Sequence, residues 1–231
     1  MKNFVFDLYG TLIDIRTDEY SEKFKTKYLK YLKKFGSDGT FFEKFSALLS
    51  SFSGCEEPDI LSVLLKAVEE SGGRMTEDEA EKAALKFRKL STHRLKLYGG
   101  VKRLLKGLKE RGAKLYLLSN AQASFTVYEL KKLGIYRCFD GIELSSDFGK
   151  KKPSPEFFTH LIDKYSLSVA DTVYTGNDIG CDIVPSKRVG MYAVYIKTAI
   201  SPTQDDIAVA QTIADFATDD ISAAYRHLIE L

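Results

Sequence analysis

The sequence predicts an α/β fold in which a parallel sheet is flanked by helices and a helical segment is inserted after the first strand. Three observations favour this fold. Short apolar runs of strand length recur along the chain, helical patterns lie between the later runs, and one long stretch near the N-terminus has helical periodicity only. Strands that alternate with helices form parallel sheets with helices on both faces.

Four apolar runs are predicted to be buried strands. The first, residues 4–8, is short, aromatic and bounded by Gly10, which is typical of a strand. The others are residues 115–118, 172–174 and 192–196. Apolar residues share one helix face in two segments between these runs, namely Val101, Leu104, Leu105 and Leu108, then Phe157, Phe158, Leu161 and Ile162.

The stretch from Asp14 to Tyr98 is predicted to be a helical insertion, because its apolar residues repeat at helical spacing and no strand stands out. Pro58 and Thr76 are the expected starts of two of its helices. We therefore expect residues 1–14 and 98–231 to form one α/β core and residues 15–97 to form an all-helical inserted domain.

Composition and charge restrict the class of protein. The 231 residues carry 34 Lys and Arg against 32 Asp and Glu, a net charge of +2, so no strong field attracts nucleic acid or anionic lipid. No apolar run approaches the ~20 residues of a membrane helix. The three cysteines, Cys55, Cys138 and Cys181, are widely spaced, which argues against a disulfide framework or a structural zinc. We expect a cytoplasmic monomer or homodimer that acts on a small molecule.

Asp7 is the first candidate functional residue. It follows the first strand at its carboxyl end, where ligands bind in open α/β sheets. Capping of the next turn is the alternative role. Gly10 and Thr11 follow directly and are expected to contribute backbone amides and a hydroxyl to an anion-binding turn.

Further polar residues follow the later strands. Ser119 and Asn120 end the second strand, although such a pair is also common at turns and helix caps. Lys152 stands before Pro153, which favours an extended backbone at the lysine.

An acidic turn follows the third strand, with Asn177, Asp178 and Asp182. These acids also suit a helix N-terminus. If they converge with Asp7 at one sheet edge, however, a cation must offset their repulsion, and Mg²⁺ fits best because it binds one or two carboxylates and keeps positions for water and phosphate.

Taken together, these motifs resemble those of the haloacid dehalogenase superfamily of hydrolases in order and spacing, and they span the core. The resemblance implies a Rossmann-like core with a helical cap inserted after the first strand. It implies Asp7 as a nucleophile that forms a covalent aspartyl intermediate, Ser119 bound to the transferred group, and Lys152 paired with Asp7 and phosphate. Gly10, Thr11 and Asn120 would line the substrate site, and Asp7, Tyr9, Asn177, Asp178 and Asp182 would surround Mg²⁺.

Tyr9 departs from the pattern of the family's phosphatases, which usually carry a second Asp at this position as general acid and base. A Tyr with a pKa near 10 is a poor substitute, and the loss of such catalysis costs roughly 10²–10⁴-fold in rate. Asp-x-Tyr-Gly-Thr instead resembles the 2-haloacid dehalogenase branch, in which halide leaves unprotonated. That branch places an Arg early in the cap and a Tyr six residues after the lysine, whereas residues 17–73 contain no Arg and Phe158 occupies the Tyr position.

The sequence therefore leads to one favoured function and two alternatives. The favoured one is a Mg²⁺-dependent phosphatase of a small phosphorylated metabolite. The alternatives are a halide-releasing hydrolase and a catalytically weak protein that binds phosphate.

Overall fold

Six parallel strands form the main sheet of the computed structural model, which describes residues 1–231. The eight strands of the chain are β1 (Asn3–Phe6), β2 (Ile13–Thr17), β3 (Thr92–Leu97), β4 (Lys114–Ser119), β5 (Gly141–Leu144), β6 (Thr172–Gly176), β7 (Tyr192–Ile196) and β8 (Phe216–Thr218). The main sheet has the order β5-β4-β1-β6-β7-β8. All four predicted strands are present. The short strands β5 and β8, at the two edges, were not predicted.

Eleven helices surround the sheet and build the insertion. They are α1 (Glu22–Leu32), α2 (Phe41–Ser50), α3 (Ile60–Glu70), α4 (Glu77–Ser91), α5 (Val101–Glu110), α6 (Ala123–Leu133), α7 (Ser145–Phe148), α8 (Pro155–Tyr165), α9 (Val184–Arg188), α10 (Ile207–Ile213) and α11 (Ile221–Glu230). No helix combines the length and the apolar character that crossing a membrane requires.

Alternating side chains of the central strands fill two separate cores. Phe4 and Phe6 of β1 pack on one face with α5 and α11, while Val5 points to the other face and packs with Phe157 and Phe158 of α8. Both faces of β1 are therefore buried, as a parallel sheet covered by helices requires. Phe6 lies between Leu117 and Thr175 in register, so the residues that follow β1, β4 and β6 meet at one edge of the sheet.

Helices α1–α4, here called the helical insert, have an apolar core of their own. Aromatic rings dominate it, with Phe24 and Tyr28 packed edge-on against Phe87 at 4.8 and 5.1 Å between ring centroids. Thr76 begins α4 with a capping box, as predicted, whereas α3 is capped by Asp59 and not begun by Pro58. The separate core supports the proposed division at residues 15–97, which stays a prediction.

The expectation that residues 15–97 are all helical is wrong at both ends of that segment. Strands β2 and β3 pair antiparallel there, with Ile13 opposite Leu97 and Ile15 opposite Leu95. Their apolar residues alternate with charged ones, and this weak two-residue period was hidden by the strong helical periods beside it. Both connections between the helical insert and the core run through this ribbon.

Edge strand β5 is fixed to α8 by the buried carboxylate of Glu143. It accepts hydrogen bonds from the Tyr165 hydroxyl at 2.7 Å and from His160 Nε2 at 2.8 Å, and Lys164 Nζ lies 2.8 Å away. Burial favours a higher pKa for Glu143, but the hydrogen bonds from Lys164, Tyr165 and His160 outweigh it and lower the pKa.

Candidate active site

Asp7 lies directly after β1 and is 7% exposed. Its Oδ1 accepts hydrogen bonds from Ser119 Oγ at 3.1 Å and from Lys152 Nζ at 2.8 Å. Its Oδ2 has Thr11 Oγ1 as its single protein donor, at 3.3 Å. The strand order thus brings the predicted residues Ser119 and Lys152 into contact with the carboxylate of Asp7. Oδ2 of that carboxylate has only the long hydrogen bond from Thr11.

Lys152 donates all three of its N–H groups to protein acceptors. Nζ lies 2.8 Å from Asp7 Oδ1, 2.6 Å from Asp182 Oδ1 and 3.0 Å from the Tyr174 hydroxyl. Burial lowers the pKa of the Lys152 ammonium, but the charges of Asp182 and Asp7 outweigh burial and raise the pKa well above its ordinary value. Lys152 is therefore a fixed positive charge beside the carboxylate of Asp7.

Tyr174 was not predicted as a site residue, because in the sequence it is one apolar residue of a buried strand. Its side chain is fully buried, and its hydroxyl contacts Lys152 Nζ, Asp182 Oδ1 at 3.0 Å and the Leu118 carbonyl at 3.3 Å. A buried tyrosine hydroxyl usually has a hydrogen-bond partner, and these three contacts satisfy the hydroxyl of Tyr174.

Asn120 was predicted to line the substrate site, and the structure gives its side chain another partner. The amide oxygen accepts from the Lys152 backbone N–H at 2.7 Å, and Nδ2 donates to the Lys152 carbonyl at 3.0 Å. This pair of bonds holds the backbone of Lys152, so the contribution of Asn120 to the site is indirect.

Gly10 was predicted to offer its amide to an anion, and this expectation is wrong because the amide donates to the Ile13 carbonyl at 2.9 Å. Its role in the structure is steric. The φ of Gly10 is +94°, and a Cβ there would lie 2.3 Å from Asn177 Nδ2. Glycine therefore allows the Asn177 side chain to approach the turn that follows β1.

The two aspartates of the acidic turn after β6 have different hydrogen-bond partners. Asp182 Oδ1 accepts from Lys152 and Tyr174, and Asp182 Oδ2 accepts from the backbone N–H groups of Asn177 and Asp178, both at 3.1 Å. Four donors occupy the lone pairs of this carboxylate, so Asp182 has no free oxygen for the metal ion that it was expected to bind. Asp178 Oδ1 accepts from the Cys181 N–H at 2.7 Å, and its Oδ2 has no protein donor.

The hydroxyl of Tyr9, two residues after Asp7, is bound in the contact between α4 and α6. It donates to Glu129 Oε2 at 2.5 Å and lies 3.0 Å from Thr126 Oγ1. Arg88 of α4 donates to the same buried Glu129, with 2.7 Å between Nε and Oε1. Burial, followed by the charge of Glu129, raises the pKa of the Tyr9 hydroxyl above its ordinary value. Tyr9 is therefore engaged in a buried polar cluster that joins the helical insert to the core.

A small cavity of about 200 Å³ opens over Asp7. Polar residues line it, and Ile200 and Pro202 from the segment between β7 and α10 add an apolar wall that the sequence did not single out. The thiol of Cys181 also faces this cavity, and burial followed by the charge of Asp178 raises the pKa of the thiol to about 12. The cavity accommodates a phosphate-sized group with a small substituent.

A family profile described as haloacid dehalogenase-like hydrolase matches residues 1–190. The chain belongs to the haloacid dehalogenase-like hydrolases. The hydrolase is 27% identical over 209 residues to a glyceraldehyde 3-phosphate phosphatase of Methanocaldococcus jannaschii, and the alignment covers 89% of this chain and 90% of that protein.

Solved structures confirm the fold of this hydrolase. A phosphatase of the family from Thermococcus onnurineus superimposes with a TM-score of 0.66 at 21% identity, covering 99% of this chain and 98% of that one. A 2-haloacid dehalogenase from Pseudomonas syringae pv. Tomato gives a TM-score of 0.65 at 19% identity, covering 100% of this chain and 98% of that one. The two values are nearly equal, so the fold does not distinguish phosphatase from dehalogenase.

The hydrolase has no group of three or more His, Cys, Asp or Glu side chains arranged to hold a metal ion. A hard divalent ion needs fewer carboxylates, because it accepts amide and carbonyl oxygens and keeps water ligands. Thr11 Oγ1 lies 3.3 Å from Asp7 Oδ2 and 3.2 Å from Asn177 Oδ1, which brings these two oxygens to one side of the site. Asp178, whose Oδ2 has no protein donor, lines the same cavity, so these three residues are the ones available to hold such an ion.

Proposed function

We propose that this hydrolase is a phosphatase that acts on a small phosphorylated metabolite, with Asp7 as the nucleophile and Mg²⁺ as the cofactor. The observation that carries the proposal is the geometry at Asp7, a buried carboxylate held by Ser119 and Lys152 below a cavity of about 200 Å³. The phosphatase that the chain resembles over most of its length supports a small phosphorylated metabolite as substrate.

In the proposed reaction Asp7 attacks phosphorus and forms an aspartyl phosphate, which water then hydrolyses. Splitting the reaction into two steps lowers each barrier. Lys152 and Ser119 hold the carboxylate in one orientation, and they lie beside the place where charge develops on the phosphoryl oxygens. Asp7, Asn177 and Asp178 would hold Mg²⁺, which neutralises phosphate charge when bound. Tyr9 contributes no hydroxyl to this ligand set, because that hydroxyl is bound to Glu129.

Two residues act through their neighbours in this proposal. Asp182 and Asn120 line the cavity, but their side chains hold the ammonium and the backbone of Lys152. We infer that they are positioning residues and not ligands of metal or substrate.

The halide-releasing alternative has less support from the contacts in the structure. Arg88 is the arginine of the helical insert that approaches Tyr9, and its guanidinium is already paired with Glu129, so it is not free for a substrate carboxylate. Phe158, at the position where that branch has a Tyr, is fully buried against Tyr174. Cys55, Cys138 and Cys181 form no disulfide bond, and we propose a cytoplasmic location on that basis.

One screen tests the proposal. Purified protein is incubated with a panel of small phosphate esters and 2-haloacids, with Mg²⁺ or with chelator, and release of phosphate and halide is measured. We expect phosphate release that needs Mg²⁺ and is abolished in Asp7→Asn. Asp219→Asn, the same change at an exposed residue outside the site, is the matched control and should keep full activity. Halide release in chelator would establish the alternative instead.

A further inference from the structure

The cavity over Asp7 contains no hydroxyl, ammonium or carboxyl group that is free to donate a proton to a leaving oxygen. The Tyr9 hydroxyl donates to Glu129 Oε2 at 2.5 Å, and Glu129 is itself fixed by Arg88. To reach a substrate, the Tyr9 hydroxyl would have to leave a buried carboxylate without its hydrogen bond. A buried charged acceptor left without its donor is strongly unfavourable.

The other protic groups that line the cavity are also committed to protein acceptors. Lys152 donates its three N–H groups, Ser119 donates to Asp7, and Asn120 donates to the Lys152 carbonyl. Asp182 accepts two hydrogen bonds at each of its oxygens, so neither oxygen is left to carry a proton towards a substrate, and Asp178 belongs to the proposed Mg²⁺ ligand set.

We propose that the enzyme acts on acyl phosphates, the mixed anhydrides of phosphoric acid with a small carboxylic acid, in preference to phosphate esters of alcohols. This inference rests on the proposed phosphatase function. A carboxylate is a stable anion with a conjugate acid of pKa about 4, so it departs unprotonated, whereas an alkoxide is about as basic as hydroxide and needs an acid. The apolar wall of Ile200 and Pro202 suits the short hydrocarbon part of such a leaving group.

The two steps balance without an added acid. Asp7 attacks phosphorus, the bond from phosphorus to the leaving oxygen breaks, and its electron pair leaves with the carboxylate. Water then attacks the phosphorus of the aspartyl phosphate, the Asp7 oxygen departs as a carboxylate, and both protons of the water end on the released dihydrogen phosphate. The leaving group is a carboxylate in both steps.

The test compares leaving groups of nearly the same size on the wild-type enzyme. Acetyl phosphate, 2,2,2-trifluoroethyl phosphate and ethyl phosphate are assayed for phosphate release with Mg²⁺, and the rate with Asp7→Asn is subtracted as background. We expect kcat/KM for acetyl phosphate to exceed that for ethyl phosphate by at least about 10²-fold, the lower bound for the value of an acid, with the trifluoroethyl ester between them. Values for acetyl and ethyl phosphate within tenfold of each other would overturn the inference and leave the phosphatase proposal intact. Absence of phosphate release from all three would instead overturn the phosphatase proposal.

Two substitutions of Tyr9 give a second readout, the ratio of the acetyl to the ethyl rate, which does not depend on the fraction of folded enzyme. Tyr9→Phe should leave this ratio within about threefold of wild type, because the hydroxyl takes no part in the departure of the leaving group. A tenfold or larger rise in the ratio would show that Tyr9 is the acid after all and refute the inference. Tyr9→Asp introduces an acid and should lower the ratio at least tenfold, whereas the same change at exposed Tyr20 should not.

Discussion

The buried ion pair between Arg88 and Glu129 provides the sharpest test of how the helical insert is held on the core. The Arg88 side chain is 10% exposed and that of Glu129 is 3% exposed, and a second contact from Nη2 to Oε2 at 3.4 Å makes the pair bidentate. Removal of one partner leaves the other charge buried without compensation. Such a loss costs about 3–5 kcal/mol, more than the modest net gain from the intact pair.

We therefore expect Arg88→Met and Glu129→Gln each to lower the free energy of unfolding by about 3–5 kcal/mol. Arg88→Met should lie at the upper end, because Arg88 keeps Glu19 as a second partner at 3.8 Å in Glu129→Gln, whereas Glu129 loses its cationic partner in Arg88→Met. The double variant should lose much less than the sum of the two single changes. A double-mutant cycle measures this coupling directly.

Urea unfolding at neutral pH is the assay, followed by circular dichroism and by tyrosine fluorescence, since the chain contains no Trp. Coincident curves from the two probes justify a two-state free energy. A loss below about 1 kcal/mol for Arg88→Met, or additive losses in the double variant, would refute the claim that the pair is desolvated and coupled.

Three further predictions concern single side chains. Tyr174→Phe leaves one N–H of Lys152 without an acceptor. If Lys152 acts as proposed, this change should lower kcat about 5- to 150-fold with KM changed much less, measured by steady-state kinetics. Gly176→Ala would place a Cβ 2.4 Å from Asp182 and should cost at least about 1–3 kcal/mol in urea unfolding, whereas Gly180→Ala, 3.5 Å from its nearest neighbour, should be tolerated. Because the pKa of Glu143 is lowered by folding, its carboxylate stabilises the fold at any pH above the pKa of Glu143 in the unfolded chain. This stabilisation is lost as pH falls through the pKa of Glu143 in the folded protein. Glu143→Gln should therefore flatten the fall in urea midpoint below about pH 5.

Each of these expectations has a contrary result. Equal changes in kcat and KM for Tyr174→Phe would mean that the hydroxyl does not position the lysine. Equal stability of the two glycine variants would contradict the close approach at Gly176. If the urea midpoint of Glu143→Gln falls below about pH 5 as steeply as that of the wild type, other carboxylates cause the acid sensitivity.

The parts of the fold that the sequence predicts are those in which one residue period dominates. The central strand β1 and its neighbours are continuous apolar runs, because both faces are buried, and each was identified. Strands β5 and β8 are short and are not continuous apolar runs, because β5 contains Gly141 and Glu143 and β8 has only three residues. Strand β2 alternates apolar and charged residues beside strong helical patterns and was hidden by them.

The site divides in the same way. Asp7, Ser119 and Lys152 each follow or precede a recognisable element, so topology alone predicts that they meet, and the structure brings them within hydrogen-bond distance. The partners of Tyr9 could not be predicted, because Glu129 lies 120 positions along the chain and nothing in its local sequence marks it as buried. Contacts of this kind depend on how two helices pack and not on any local pattern.

The β2–β3 ribbon carries both covalent connections between the helical insert and the core. Thr17 and Thr92 are paired partners across the ribbon, so the chain leaves the core and returns to it at adjacent points. The two ends of the segment between Thr17 and Thr92 therefore stay at the same separation whatever the length of that segment. The entropic cost of closing a loop rises only slowly with the length of the loop. Arg88 and Cys55 contact Glu129 and Lys151 of the core directly and are constrained by these contacts. Away from such contacts, residues 18–91 can vary in length without moving the points at which the chain leaves the core and returns to it.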